Sequence, residues 1–400
     1  MKKLLIISLD SIGDDMYGRL VAHSPHFARL AEQGQVHRGV TSVFLTNTYP
    51  IHTSIATGLT SKHHGVLNNT QPFPVRHPRW CYEAKNIKAK TLWQAAAAKG
   101  LKTATVLWPV TGGDRSITYN IPELLKQPDE NQILLNLKYG SKLFQLHMLL
   151  KYGKILGGEG IKQPEIDNFS VACMTYLLRK KAPDLAMVHL TCFDSLCHEH
   201  GLDSPMIETA YAAMEKNLGE LLTAADWRYN LLLFSDHSQL PVTDSLLPNR
   251  LLKERGWIRV DESGEYIPGD CFFECCGGSA FLHPGGLTQN QVEALKGAVQ
   301  AMDGFGRLLS ADEMDVCGRG ELPFGFAAEP GWDCAGYGGH ERANHGYPVN
   351  YDNYKVFYLC HGEGFAPGLI RGGDLLDLTA HAASVLDLDM NNISKIVSDV

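Results

Sequence analysis

Short apolar runs that end in polar or acidic residues recur along the chain, and helix-like stretches separate them. The runs lie at residues 3–9, 102–107, 185–191, 230–234 and 354–360. The helix-like stretches include residues 91–99, 165–179 and 205–223. Strands that are apolar on both faces and alternate with helices are typical of a mostly parallel sheet with both sides covered. The sequence therefore predicts an α/β fold in which helices sandwich such a sheet.

Three of these apolar runs lead into acidic residues, namely Asp10, Asp194 and Asp236. In an open α/β sheet the ligand crevice lies at the carboxyl ends of the strands. We therefore expect a functional site at this edge of the sheet.

The length of the chain, 400 residues, exceeds the size at which one hydrophobic core usually stops growing. Between residues 240 and 335 Gly and Cys are more frequent, and a helical stretch at 288–302 lies between strand-like segments at 279–282 and 306–309. We predict a catalytic core formed by residues 1–239 and 336–400, with a small inserted α+β cap at 240–335. A helical insertion is predicted at about residues 121–160.

The formal net charge of the chain is −8, and no run of Lys and Arg stands out. This charge balance excludes a protein that grips nucleic acid polymers through a basic surface. An acidic protein that handles anionic substrates still needs local positive charge, which bound metal ions can supply.

The first apolar run is too short for the core of a signal peptide. No run approaches the roughly 20 residues that a membrane span requires. We therefore expect a cytoplasmic protein without a membrane partner. In that reducing compartment the ten cysteines are expected to be thiols. Cys271, Cys275 and Cys276 lie close together without a second cysteine pair at zinc-site spacing, so we expect buried or half-buried thiols there.

Two further features of the acidic strand ends point to metal binding. Asp194 and His198 are four residues apart, so on a helix they share one face and can hold one cation. Asp236 and His237 are adjacent and directly follow an apolar run, where such a pair is uncommon unless both residues bind something.

Two loops supply the remaining candidates. Residues 46–52 place threonine hydroxyls ahead of a proline and a predicted helix, whose N-terminus favours a bound anion. His345 is followed by Gly346 and can be presented by a tight turn, with His340 as the alternative.

Together these candidates form a set of three aspartates, three histidines and one hydroxyl, which could provide the ligands for two neighbouring cations. Mixed carboxylate and imidazole ligation favours Zn²⁺ over Mg²⁺, with Mn²⁺ and Fe²⁺ as alternatives. Two metals about 4 Å apart can hold both the attacking and the leaving oxygen of a displacement at phosphorus. This set of ligands therefore indicates a metal-dependent reaction at the phosphorus atom of a small phosphorylated substrate.

These motifs resemble those of the nucleotide pyrophosphatase/phosphodiesterase branch of the alkaline phosphatase superfamily. The stretches that carry the resemblance occur in the order of that family, at residues 5–10, 46–65, 69, 91–109, 194–201, 235–237, 345–347 and 375–386. The resemblance implies an alkaline-phosphatase-like core, whereas the cap matches only loosely.

The resemblance also implies roles for individual residues. One metal would be held by Asp194, His198 and His345, and the other by Asp10, Asp236, His237 and the Thr48 oxygen. Thr48, rather than Thr46, takes the place of the nucleophile. Asn69 matches the asparagine that donates a hydrogen bond to a phosphoryl oxygen, with Asn68 as the alternative, and Trp108 matches a stretch near the substrate pocket unless it is simply core.

The function implied is hydrolysis of phosphodiester or pyrophosphate bonds of small molecules such as nucleotides through a phosphothreonine intermediate. A phosphonate hydrolase of the phosphonoacetate type and a phosphomonoesterase are the enzymatic alternatives, and an inactive metal-binding scaffold is the alternative outside enzymes. The chain departs from the family pattern at Ser11, Ile51 and Cys197, none of which removes a proposed ligand.

Overall fold

The computed structural model describes residues 2–157, 162–267, 271–336 and 341–390. Its strands are β1 Leu4–Leu9, β2 Gln35–Val40, β3 Thr103–Trp108, β4 Tyr119–Pro122, β5 Leu185–Leu190, β6 Asn230–Phe234, β7 Leu240–Leu246, β8 Phe272–Cys275, β9 Ser279–His283, β10 Phe305–Leu308, β11 Gly325–Ala328, β12 Gly331–Cys334, β13 Ala343–Asn344, β14 Val356–His361 and β15 Gly368–Arg371. Its helices are α1 Tyr17–His23, α2 Pro25–Gln33, α3 Thr48–Thr57, α4 Ser61–His64, α5 Leu92–Ala98, α6 Gln132–Tyr139, α7 Lys142–Tyr152, α8 Glu165–Tyr176, α9 Cys192–His200, α10 Met206–Ala225, α11 Pro248–Glu254, α12 Gln289–Gln300, α13 Ala311–Val316 and α14 Asp377–Leu386.

The largest sheet within these residues has the strand order β15-β2-β14-β6-β1-β5-β3-β4. Its neighbouring strands are parallel except for β14, which runs antiparallel to both β2 and β6. The prediction of a mostly parallel sheet in an α/β fold is confirmed. The five apolar runs correspond to β1, β3, β5, β6 and β14.

Both faces of the central sheet are buried. In β1 the side chains of Leu5, Ile7 and Leu9 belong to one hydrophobic cluster, which includes residues of α8 and α10. Leu4 and Ile6 point to the opposite cluster, which includes residues of α3, α5 and α14. The two clusters explain why β1 is apolar at successive positions, because each face of the strand packs against helices.

The region predicted as a cap contains its own sheet. Strands β8, β9, β10 and β11 form an antiparallel sheet in the order β10-β11-β9-β8, and their hydrophobic cluster includes residues of α12. A third sheet has the order β12-β7-β13. The boundaries at 240 and 335 remain predictions, as does the extent of the helical insertion, in which α6 and α7 are found.

No helix in the described parts of the chain combines the length and the apolar character that crossing a bilayer requires.

A buried ion pair within the region predicted as a cap also bonds to the backbone at Leu67, outside that region. Arg319 donates to both carboxylate oxygens of Glu274, at 2.5 and 3.0 Å, and to the carbonyl oxygen of Leu67 at 3.2 Å. Glu274 and Arg319 are each 3% exposed. Although burial opposes ionisation, Arg319 and His283 hold the pKa of Glu274 at about 2.

The substitution Arg319→Gln is expected to lower the free energy of unfolding by about 3–5 kcal/mol, because it removes the guanidinium from a buried carboxylate and leaves only His283 and Asn68 in contact with it. The matched control is Lys62→Gln, which breaks the exposed pair of Lys62 with Asp315 and should cost about 0–1 kcal/mol. Chemical denaturation measures both values. Because the pKa of Glu274 is depressed, its contribution is present at neutral pH and is lost as pH falls from about 4.5 towards 2. Equal losses for the two variants would contradict the assigned role of the buried pair.

Candidate active site

The predicted site residues meet at the carboxyl edge of the central sheet. Asp10 follows β1, Asp194 and His198 lie on α9 directly after β5, and Asp236 and His237 follow β6. Strands β5 and β6 flank β1 on its two sides, so the three strand ends are neighbours. This arrangement explains why residues far apart in sequence share one location.

One potential metal group consists of Asp194, His198 and His345. One ligand atom from each lies within 4.8 Å of the other two. His198 Nε2 is 3.2 Å from Asp194 Oδ1, and the ring centroids of His198 and His345 are 5.1 Å apart. The four-residue spacing on α9 therefore places the two side chains together as the sequence predicted.

A second potential metal group consists of Asp10, Asp194 and His237, again with one atom from each within 4.8 Å of the others. His237 Nε2 lies 3.3 Å from Asp10 Oδ1 and 3.3 Å from Asp236 Oδ2. The ring centroids of His237 and His345 are only 4.2 Å apart, so the two groups adjoin. Asp194 belongs to both groups, whereas the family resemblance assigns it to one.

In each of the three histidines the ring nitrogen Nδ1 contacts an acceptor outside the two potential metal groups. His345 Nδ1 lies 2.9 Å from Asn47 Oδ1, His198 Nδ1 lies 2.6 Å from Glu341, and His237 Nδ1 lies 3.3 Å from the carbonyl oxygen of Ser238. An acceptor at Nδ1 fixes the ring and favours the tautomer with a free lone pair on Nε2. This arrangement is the one that imidazole metal ligands adopt.

The buried carboxylates of the site need positive charge. Asp10 Oδ1 and Asp236 Oδ2 have no hydrogen-bond partner within the described residues. Burial, together with the charges of Asp236 and Asp194, raises the pKa of Asp10 well above its usual value. Burial also raises the pKa of Asp236 to about 6.

The donor atoms therefore fit divalent cations. A cation beside Asp10 and Asp236 would offset the cost of burying like charges. Burial lowers the pKa of His237 to about 4 and that of His345 to about 3, so both imidazoles are neutral and able to donate a lone pair at pH 7. Carboxylates combined with neutral imidazoles suit Zn²⁺ and related transition metals.

Thr48 is the threonine whose hydroxyl faces these groups. It is the first residue of α3, and its Oγ1 lies 3.4 Å from His237 Nε2. The hydroxyl of Thr46 donates instead to the carbonyl oxygen of Tyr347 at 2.8 Å, and the residue is fully buried. The placement therefore favours Thr48 over Thr46 as a nucleophile.

Asn69 and Asn68 have different surroundings. Asn68 Nδ2 lies 3.0 Å from Glu274 Oε1, and its Oδ1 accepts from Asn47 Nδ2 at 2.8 Å, so both ends of this amide are occupied. Asn69 accepts from the backbone N–H of Tyr49 at 2.8 Å through its Oδ1 and lines the cavity next to Thr48. This contact fixes the Asn69 amide and favours Asn69 over Asn68 as the donor to a phosphoryl oxygen.

A cavity of about 850 Å³ opens beside Thr48 and the metal groups. Its described lining includes no Lys or Arg. One wall is apolar and is formed partly by α6 and α7, through residues such as Ile133 and Leu149. The lack of cationic side chains in this lining agrees with the expectation that metals supply the charge for an anionic substrate.

Trp108 does not face this cavity. It is fully buried in the hydrophobic cluster around α3 and α5, where its ring packs against those of His52 and Phe234. The structure therefore argues against the predicted substrate-binding role and places Trp108 in the core. The cavity wall contains Trp80 instead, a partly exposed residue whose ring meets that of Tyr49 edge-on.

His189, the next-to-last residue of β5, was not among the predicted site residues. Its Nε2 lies 3.0 Å from Asp10 Oδ2, and its Nδ1 lies 3.0 Å from Glu123 Oε2. The carboxylates of Asp10 and Glu123 overcome the effect of burial and raise the pKa of His189 well above its usual value. His189 thus fixes Asp10 so that the other oxygen, Oδ1, faces His237.

The turn that presents His345 depends on glycine. Gly346 has φ 84°, and a Cβ atom there would lie 1.8 Å from the carbonyl oxygen of Cys276. Cys276 and Cys271 are buried thiols and Cys275 is a half-buried one. His340, the alternative to His345, lies outside the described residues.

Sequence comparisons relate the chain to known phosphodiesterases. A sequence model of the family described as type I phosphodiesterase / nucleotide pyrophosphatase matches residues 4–348. Human ectonucleotide pyrophosphatase/phosphodiesterase family member 5 is 22% identical, with the match covering 98% of this chain and 76% of that protein. Human family member 1 is 28% identical over a shorter match that covers 34% of this chain and 16% of that protein.

Structural comparisons agree on the fold. Murine ectonucleotide pyrophosphatase/phosphodiesterase 5 matches with a TM-score of 0.69 and 19% identity, covering 97% of this chain and 96% of that one. An inactive threonine-to-alanine variant of the same murine protein, in complex with AMP, matches with a TM-score of 0.68 and 18% identity over 98% of this chain and 96% of that one. The alkaline-phosphatase-like fold predicted from the sequence is thereby confirmed.

Proposed function

Because the chain belongs to the type I phosphodiesterase / nucleotide pyrophosphatase family of hydrolases, we propose that it cleaves phosphodiester or pyrophosphate bonds of small molecules through Thr48 with the help of two divalent cations. The observation that carries the proposal is the convergence of three imidazoles and three carboxylates beside the Thr48 hydroxyl. We propose Zn²⁺ as the cation, with Mn²⁺ and Fe²⁺ as alternatives.

The proposed ligands fall into two sets. Asp194, His198 and His345 would hold one cation, and Asp10, Asp236, His237 and Thr48 would hold the other, with Asp194 close enough to contribute to both. When bound, the cations would lower the pKa of the Thr48 hydroxyl and offset charge on the phosphoryl oxygens.

The residues of the chain supply position and orientation. The Thr48 oxygen attacks phosphorus, the bond from phosphorus to the leaving oxygen breaks, and a phosphothreonine forms that water then hydrolyses. The Asn69 amide, held by the backbone N–H of Tyr49, donates to a phosphoryl oxygen. The apolar wall and Trp80 would accommodate the substituent of the phosphate, such as a nucleoside. Two features of the murine relative support this assignment, namely that a threonine-to-alanine change makes it inactive and that it binds AMP.

A hydrolysis screen tests the substrate class. The purified, zinc-loaded protein is given bis(p-nitrophenyl) phosphate, p-nitrophenyl phosphate and phosphonoacetate under identical conditions. We expect the highest kcat/KM with the diester, because a cavity of about 850 Å³ with an apolar wall beside Thr48 has room for a substituent on the phosphate. Preference for the monoester or the phosphonate would overturn the substrate class, and turnover of none of the three would favour an inactive scaffold.

A further inference from the structure

Helices α6 and α7 expose an unusual amount of apolar surface. Leu143 and Leu150 of α7 are 86% and 81% exposed, and Leu146 is 48% exposed. These three residues are three and four positions apart, so they lie on one face of the helix. The other face of α7 is also apolar, because Phe144 and Met148 are buried in the core. A helix that is apolar on both faces has an outer face that requires a partner.

The neighbouring α6 adds to this surface. Ile133 and Leu134 are 55% and 66% exposed. Ile133 also lines the cavity beside Thr48, so it stands at the rim between the cavity and the outside. We call the five residues Ile133, Leu134, Leu143, Leu146 and Leu150 the α6–α7 patch. The patch therefore borders the proposed active site.

The segment that carries the patch is basic, although the acidic residues Asp129 and Glu130 directly precede it. Residues 131–157 contain four lysines, Lys138, Lys142, Lys151 and Lys154, and no Asp or Glu, although the chain has a net charge of −8. All four lysines are exposed. Apolar residues combined with lysines and without acidic residues are typical of helices that lie on anionic membrane surfaces.

We propose that the α6–α7 patch binds the surface of an anionic lipid bilayer, with the leucines entering the headgroup boundary and the lysines contacting lipid phosphates and carboxylates. The patch would then lie in the interface of the bilayer, with the proposed active site beside it. This changes the sequence-based expectation of no membrane partner, because that expectation rested on the absence of a spanning segment. A symmetric contact with a second copy fits less well, since it would bring the lysines of both copies together without acidic partners.

Vesicle flotation tests this proposal without relying on catalysis. The full chain is mixed with vesicles of phosphatidylcholine alone or with about one-third phosphatidylserine. We expect the protein to float with the anionic vesicles and to lose most of this binding in high salt. The variant Leu143→Glu/Leu150→Glu should bind at least about tenfold more weakly. The matched control is Leu369→Glu/Ile370→Glu, which changes two exposed apolar residues of β15 and should bind like the wild type.

A second pair of variants tests the role of charge. Lys142→Glu/Lys151→Glu should weaken binding by about 25-fold or more, at about fivefold per lysine. Lys253→Glu/Lys296→Glu, which reverses two lysines of α11 and α12, is the control and should have little effect. Hydrolysis of a soluble diester reports folding and should be unchanged in all variants, because none of these residues lines the cavity.

Two results would overturn the proposal. One is failure of the flotation test, in which the wild type does not float with anionic vesicles or the α7 leucine variant floats equally well. The other is light scattering that shows a wild-type dimer and a monomeric leucine variant, since the patch would then be an interface between copies of this chain.

Discussion

Replacing Thr48 by alanine is expected to lower kcat for a phosphodiester by roughly 10⁴-fold or more, while cations remain bound. The reason is that the threonine contributes one oxygen to the site, at the start of α3, and the six other proposed ligands do not depend on it. Steady-state kinetics and metal analysis of the same preparation measure both parts of the prediction.

Two controls separate chemistry from structure. Thr48→Ser keeps a hydroxyl at the same position and should retain activity within roughly tenfold of the wild type. Thr70→Ala removes another hydroxyl from the cavity lining and should change kcat only a few-fold. Undiminished turnover in Thr48→Ala would refute the assignment of the nucleophile.

Replacing Asp194 by alanine is expected to weaken binding at both positions, so that the metal content falls from two cations per chain to fewer than one, and to lower the activity by on the order of 10³-fold or more. Asp194 lies within 4.8 Å of ligand atoms in both metal groups, and its removal therefore affects both. His345 belongs to one group, so His345→Ala should lose one cation and keep the other. Metal analysis after equilibration with zinc and removal of the excess measures the difference.

The control for these ligand variants is His283→Ala. His283 contacts Glu274 outside the site, at 3.1 Å, and its loss should leave the metal content unchanged. Loss of only one cation from Asp194→Ala would show that Asp194 serves a single metal, as the family resemblance alone implies.

Strands were predictable from the sequence where both faces are buried. The sequences of β1, β5 and β6 are almost entirely apolar, because helices cover both sides of the sheet. β2 and β15 lie at one edge of that sheet and were missed. The sequence of β2 includes Gln35 and Arg38, and all four residues of β15 are exposed, so neither strand has an uninterrupted apolar pattern.

The site was predictable where the residues follow strand ends or share a helix face. The role of His189 could not be predicted, because a histidine in an apolar strand resembles an ordinary core residue. Its contact with Asp10 depends on the parallel pairing of β1 and β5, in which His189 lies opposite Ser8. Trp108 was misplaced for a similar reason, because an aromatic residue near a family motif does not reveal which face of the fold it joins.

We propose that six side chains from distant parts of the sequence hold two cations beside the Thr48 hydroxyl. The most direct test is a titration of the metal-free wild type with zinc. Calorimetry monitors the binding of zinc, and metal analysis gives the number of ions bound per chain. We predict saturation at two ions per chain, with activity restored only as the second site fills. Saturation at one ion or none, or full activity without metal, would contradict the account.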